Sequence, residues 1–110
     1  MGSANEVLHW YGQLSDTVKR MLALARARQW ERLPELDTQC STIMDQLKAA
    51  EPRERLGDAE RERVRELVVR IRSDQDELTG IIRPQMTRLV RRMEQLRQQQ
   101  DVNRAYRPLS

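Results

Sequence analysis

The longest helical pattern of hydrophobic positions lies in the second half of the chain. Apolar residues recur there at steps of three and four, which is the spacing of one face of an α-helix. The series comprises Val64, Leu67, Val68, Ile71, Leu78, Ile81, Ile82, Met86, Leu89, Val90, Met93 and Leu96. We therefore predict a helix over about residues 59–98, which would be roughly 60 Å long at 1.5 Å per residue.

Two shorter helices are predicted before it, over about residues 4–28 and 31–49, with a corner at Trp30. Pro34 fits the first turn of the second helix, where its missing amide has no intrahelical partner. Gly12 lies inside the first helix, and we expect it to mark a close approach between helices. The first seam is Val7, Tyr11, Leu14, Val18, Met21 and Ala25, and the second is Leu33, Leu36, Cys40, Ile43 and Leu47.

This pattern predicts an all-α fold, an antiparallel three-helix bundle in one domain over residues 1–110. The first two helices would be only about 30–40 Å long. The third helix should therefore overhang them, leaving part of its apolar face bare or in need of a partner. A short segment, residues 101–110, would follow as a possible truncated fourth helix. Large exposed apolar strips usually mark binding surfaces, so the pattern indicates a protein that binds other proteins.

The third helix has two interruptions. Asp74 and Gln75 place polar side chains where the apolar register expects hydrophobic ones. Pro84 would clash with the carbonyl of Gly80, four positions back. Because the apolar period resumes at Met86, we predict a kink in a continuing helix, and a full break at Pro84 is the alternative.

Composition favours the same class of fold. Apolar residues make up 38% and charged residues 34% of the chain, with no Phe, which suits a helical bundle. No apolar run approaches the roughly 18 residues of a transmembrane helix. We expect no signal peptide and no myristoylation, since Glu6 stands where that motif has Ser or Thr. The single cysteine, Cys40, fits a reducing compartment, so we expect a cytoplasmic protein.

The positive charge is concentrated near the C-terminus. Residues 83–107 carry seven arginines against Glu94 and Asp101, whereas the whole chain has a net charge of only +3. Such a segment could neutralise nucleic-acid phosphates. However, the arginines alternate with the apolar series and include no aromatic stacking residue. We interpret them as the solvated flank of an interaction helix, and nucleic-acid binding is a less favoured alternative.

Catalytic chemistry finds little support in the residues. His9 is the only histidine, and Cys40 occupies a seam position typical of a small core residue. No metal-ligand spacing and no glycine-rich phosphate loop is present. We expect no enzyme activity, no cofactor and no metal.

Four features together resemble the FliT family of flagellar type III export chaperones. They are Trp10 in the first helix, the corner at residues 29–33 (Gln-Trp-Glu-Arg-Leu), residues 79–82 (Thr-Gly-Ile-Ile), and residues 103–106 (Asn-Arg-Ala-Tyr) followed by Leu109-Ser110. Their order and spacing follow the family pattern without gaps over nearly the whole chain.

The resemblance implies a small cytoplasmic chaperone that binds the C-terminal region of the filament-cap protein (FliD). Such chaperones escort the cap protein to the type III export apparatus, contacting the export ATPase complex and the export-gate membrane protein. In some bacteria they also bind the flagellar master transcription activator and block its DNA binding. The alternative is a coiled-coil-like homodimeric scaffold whose overhanging helices pack on each other.

The resemblance also implies sites. Carried over by position, the client groove would involve Val68, Arg72 and Thr79, and the apolar register adds Ile71, Leu78, Ile82, Met86 and Leu89. Family members carry a fourth helix that folds over this groove and restrains it; here it would be truncated or absent, because the chain ends at Ser110. We expect a remaining regulatory segment to cover part of the helix 3 face until the client displaces it, through Val102, Asn103, Ala105, Tyr106 and Leu109.

Overall fold

A computed structural model describes residues 3–50 and 56–105 of the chain. Helix α1 spans Ser3–Arg26, a short 3-10 turn spans Trp30–Arg32, α2 spans Leu33–Ala50 and α3 spans Asp58–Ala105. The residues so described contain no β-strand. The molecule is a rod with principal extents of 77 × 25 × 17 Å. The prediction of an all-α bundle with a long third helix is therefore confirmed.

Helix α1 is the centre of the bundle, because it packs against both α2 and α3. Early α1 residues such as Val7 share a core cluster with Leu47 near the end of α2, so these two helices are antiparallel. Late α1 residues such as Ala25 meet Leu78 of α3, whereas Val7 and Val18 share their cluster with Ile71. Helices α1 and α3 therefore run in the same direction, and the chain goes up, down and up again.

The core consists of two clusters stacked along α1. On α3, Asp74 and Gln75 lie between the two clusters, so the predicted polar layer coincides with the division of the core. Cys40 packs against both clusters and links them across this layer. The lower cluster is Val7, Leu14, Val18, Ile43, Leu47 and Ile71, and the upper cluster is Met21, Leu22, Ala25 and Leu78.

Helix α1 ends at Arg26 rather than at the predicted residue 28, because the chain turns there through a left-handed residue. Arg28 has a φ of 58°. The amide of Gln29 donates to the Leu24 carbonyl (2.9 Å), and the amide of Arg28 donates to the Ala25 carbonyl (3.1 Å). These two bonds are the Schellman pattern, which usually places glycine where Arg28 stands. The turn directs the chain into α2.

Helix α3 is continuous through Pro84, so the alternative of a full break is wrong. The Thr87 hydroxyl donates to the Arg83 carbonyl (3.1 Å) in the turn that follows the proline. The predicted end near residue 98 is also wrong, since α3 runs on to Ala105. Gln, Arg and Ala are good helix formers, and they extend the helix after the apolar pattern has stopped.

This extension changes the predicted C-terminal segment. Val102, Asn103 and Ala105 lie in the last turns of α3 instead of in a separate segment, while Tyr106 and Leu109 lie outside the described residues. The interpretation of Gly12 is also wrong. A Cβ placed on Gly12 would meet no atom within 4 Å, so no neighbouring helix approaches it closely.

The register of α1 against the parallel helix α3 determines the level at which the three-helix packing ends. Arg26, in the last turn of α1, pairs with Glu77 of α3, and the last α3 residues packed on the upper cluster are Ile81 and Ile82. Residues 83–105, here called the overhang, extend for about 34 Å beyond that point. Among the described residues, only the base of the overhang, near Met86 and Leu89, has other elements beside it, at the corner around Trp30 and Leu33.

Candidate functional site

The overhang carries an exposed apolar face, here called the stripe. It consists of large hydrophobic side chains that are 48–60% exposed: Met86, Leu89, Val90, Met93 and Leu96. In the bundle, the equivalent positions of α3, such as Ile71, are buried. The apolar positions follow the same helical register in the bundle part of α3 and in the overhang. The difference is that α1 covers them in the bundle and ends before the overhang. The prediction that the long helix has more apolar surface than the other helices can cover is therefore confirmed.

Helical geometry sets the limits of the stripe. Successive residues are rotated by about 100°, so positions three, four and seven apart share a face. Val102 follows Met93 by nine residues and points to the opposite side of α3. Val69 also points away from the stripe, and both valines are exposed, at 53% and 62%. Val102 therefore lies away from the stripe in this structure, and the masking role predicted for it stays a prediction.

The eight predicted groove residues divide between core and surface. Ile71 and Leu78 are 6% and 8% exposed and belong to the two core clusters. Because these side chains are already covered, they have almost no free surface to offer a partner, which corrects the expectation that they line an open groove. Val68 and Ile82 are half-buried, and exposed positions are held by Arg72, Thr79, Met86 and Leu89.

A second feature was missed by sequence reasoning. The base of the stripe faces an apolar cleft of about 690 Å³, here called the corner cleft, where the turn between α1 and α2 meets α3. Pro34, Asp37 and Gln85 complete its rim, and its apolar walls are Met21, Trp30, Leu33, Ile82, Met86 and Leu89. Trp30 at the corner was the available signal, but the sequence does not say which helix it faces.

Positive charge surrounds the stripe. The overhang carries six arginines against Glu94 and Asp101, so its net charge is +4. By helical geometry Arg92 lies beside the Leu89–Leu96 edge of the stripe, and Arg97, seven residues after Val90, continues the opposite edge. All of these charged side chains are exposed, so they border the apolar surface without being desolvated. The arrangement favours a partner that is apolar along one face and acidic beside it.

Cys40 and His9 form no catalytic arrangement. The Cys40 thiol lies 3.8 Å from the Met21 sulfur. Its burial, together with the negative charge of Asp37, raises the pKa of the Cys40 thiol above its usual value. A raised pKa keeps the thiol protonated and poorly nucleophilic. His9 is exposed, with its ring edge-on to Trp10 at 4.9 Å between centroids.

Within residues 3–50 and 56–105, no group of three or more His, Cys, Asp or Glu side chains is arranged to hold a metal ion. None of the helices in the same part of the chain is long and apolar enough to cross a membrane. The arrangement that stands out is thus an apolar stripe with a cleft at its base, bordered by arginines.

The chain was compared with protein-family models, curated proteins and solved structures. The family model described as flagellar protein FliT matches residues 8–108, which is nearly the whole chain. No curated protein and no solved structure matches it. The chain therefore belongs to the FliT family of flagellar proteins, and this membership implies a flagellar export chaperone with protein partners in that export.

Proposed function

We propose that this chain is a cytoplasmic chaperone that binds the C-terminal region of the filament-cap protein through the stripe and escorts it to the type III export apparatus. The observation that carries the proposal is the exposed stripe on the overhang. A helix this apolar on one face normally buries that face, and none of the helices in the described part of the chain covers it beyond its base.

The binding mode follows from the spacing of the exposed side chains. Met86, Leu89, Met93 and Leu96 are separated by steps of three and four, so they present a continuous apolar line to an amphipathic helix of the client. Burial of this line favours binding at about 25 cal/mol per Å², before the costs of association are subtracted. Methionine side chains adapt to differently shaped partners.

The arginines beside the stripe contribute in another way. Exposed rim charges accelerate association and select acidic partners more than they increase affinity. We expect the client helix to carry Asp or Glu beside its apolar face. Delivery to the export apparatus would involve the export ATPase complex and the export-gate protein. The same surface would also bind the flagellar master transcription activator and so repress flagellar transcription.

We propose that client binding is regulated by the C-terminal end of α3. Val102 itself would cover the stripe only if the helix broke before it, because a continuous helix carries that side chain away from the stripe. Client binding would then compete with a bent end rather than with a separate fourth helix. Spin labels on residues 93 and 105 would show a shortened distance if this bending occurs, and helical spacing throughout if it does not.

The test is calorimetric titration of the C-terminal region of the filament-cap protein into the chain. Met93→Asp places a charge in the middle of the stripe and should weaken binding by about tenfold or more. Val69→Asp is the matched control, since Val69 is equally exposed on α3 but faces away from the stripe. Equal affinities for the two variants would contradict the assignment of the stripe.

A second copy of the chain could cover the stripe instead. Sedimentation at micromolar concentration distinguishes this case, because a stable dimer through the stripe would be dispersed by Met93→Asp and retained in Val69→Asp. The proposed chaperone instead sediments as a monomer without client.

A further inference from the structure

We infer that the corner cleft is an anchor site for one large uncharged apolar side chain, placed at the end of a helix that lies along the stripe. The inference rests on the proposed function, because it specifies what the occupant of the stripe must carry. It adds a site that is separate from the groove positions Val68, Arg72 and Thr79.

The cleft and the stripe are continuous. Met86 and Leu89 belong to both, since they line the cleft and begin the exposed series on the overhang. A helix seated on the stripe therefore reaches the cleft at one of its ends. It would lie in line with α1, which covers the same face of α3 as far as Ile82. The stripe thus prolongs the packing surface that α1 already uses.

The walls of the cleft come from four different elements of the fold. Met21 belongs to α1, Trp30 to the 3-10 turn and Leu33 to the first turn of α2, while α3 supplies the opposite wall. Trp30 and Leu33 also pack on the upper core cluster, so one side of the cleft is fixed by the bundle. A recess with fixed apolar walls at the edge of a flatter apolar surface is where interface hot spots occur.

The chemistry of the rim restricts the occupant. Of the described residues that line the cleft, Asp37 alone is ionisable, and its carboxylate disfavours an acidic side chain there. The arginines that favour acidic residues lie further along the overhang, at Arg92 and Arg97. The occupant is therefore a helix with a neutral, bulky end and acidic flanks nearer to its other end. The apolar series from Ile82 to Leu96 is about 21 Å long, which corresponds to about four helical turns.

The probe for a test is a synthetic amphipathic peptide of about 15 residues. It carries Leu at steps of three and four, Glu beside them at the distal end, and either Phe or Ala at the anchor position. The full chain is used with Trp10→Phe, so that Trp30 is the only tryptophan and reports on the cleft. Binding of the two peptides is then measured to this chain and to its Leu33→Ala and Met86→Ala variants.

The inference predicts that replacing Phe by Ala at the anchor weakens binding to the unmodified cleft by about tenfold. The same replacement should change the affinity by less than about twofold in the Leu33→Ala and Met86→Ala variants. Emission from Trp30 should shift to shorter wavelength with the Phe peptide and not with the Ala peptide. Met86→Ala keeps the test valid if Leu33→Ala disturbs the fold, because Met86 is half exposed and lies outside the core.

A stripe variant separates failure of this inference from failure of the proposed function. One outcome is that Met93→Asp abolishes peptide binding while the Phe and Ala peptides bind with equal affinity to the chain that keeps Met93. In that case the cleft is not an anchor site and the stripe remains a binding surface. If Met93→Asp has no effect, both assignments are wrong. A concentration-dependent shift of Trp30 emission without peptide would identify a second copy of the chain as the occupant and overturn the inference.

Discussion

The guanidinium group of Arg26 donates its Nε–H to the carboxylate of Glu77 over 2.7 Å, joining the last turn of α1 to the middle of α3. This ion pair marks the level at which the bundle loses its central helix. Below it, the apolar face of α3 is covered by α1, and a few residues above it the same face becomes exposed. The functional surface is therefore defined by where α1 ends.

The ion pair itself should contribute little stability. Both side chains are about half exposed, and exposed pairs of this kind contribute about 0–1 kcal/mol. A double-mutant cycle with Arg26→Gln and Glu77→Gln, followed by urea unfolding, should give a coupling energy of about 0.5 kcal/mol that decreases with salt. A coupling above about 2 kcal/mol would mean that the pair holds the bundle together, contrary to this interpretation.

The left-handed residue after α1 gives a stabilising substitution. Arg28→Gly should raise the free energy of unfolding by about 0.5–1 kcal/mol, because glycine adopts a φ of 58° without the steric cost of a Cβ. Ala27→Gly is the control, since no positive φ is present there and glycine should only destabilise. Urea unfolding of both variants is the measurement, and a less stable Arg28→Gly chain would contradict the Schellman assignment.

Core and stripe positions of α3 should respond differently to truncation. Ile71→Ala removes a side chain buried in the lower cluster and should lower the free energy of unfolding by about 2–4 kcal/mol. Leu89→Ala, on the overhang, should change it by less than about 0.5 kcal/mol. Chemical denaturation measures both variants. Similar losses in the two would mean that Leu89 is buried in the monomer.

The buried thiol should be slow to react. Because burial and Asp37 raise the pKa of Cys40, iodoacetamide should alkylate it more slowly in the folded chain than in urea, at about pH 8. The folded chain holds this proton to higher pH than the unfolded one. The resulting stabilisation is therefore present below the unfolded pKa and is lost as pH rises through the folded pKa.

The pH dependence of the alkylation rate checks this directly. Its midpoint should lie higher in the folded chain, and Asp37→Asn should lower that midpoint part of the way by removing the secondary cause. Coincident midpoints in folded and unfolded chains would show that the thiol is open to water.

The helices were predictable because their apolar positions follow one period with few interruptions. The length of α3 then required an overhang, and continuity through Pro84 followed from the renewed apolar series at Met86. The pattern does not predict which apolar residues are buried. Ile71, Leu78 and Leu89 occupy the same face of α3, and only the register of α1 against α3 decides which of them is covered.

Two other features depend on tertiary structure in the same way. The corner cleft exists because Trp30 and Leu33 are brought against α3, and these residues are about 50 positions away from Ile82 in the sequence. The end of α3 was misplaced because the residues after Leu96 are good helix formers without an apolar period. The sequence pattern loses its signal there, although the helix continues.

The central claim is that the stripe is uncovered in the chain alone and covered by the client, and oxidation of methionines by peroxide tests it most directly. Met21 is buried at 8% exposure, Met44 is exposed on α2 away from the stripe, and Met86 and Met93 lie on it. In the chain alone, Met44, Met86 and Met93 should be oxidised quickly and Met21 slowly. Addition of the C-terminal region of the filament-cap protein should protect Met86 and Met93 and leave Met44 unchanged. Oxidation of Met86 and Met93 as slow as that of Met21 before any client is added, or unchanged by the client, would contradict the account.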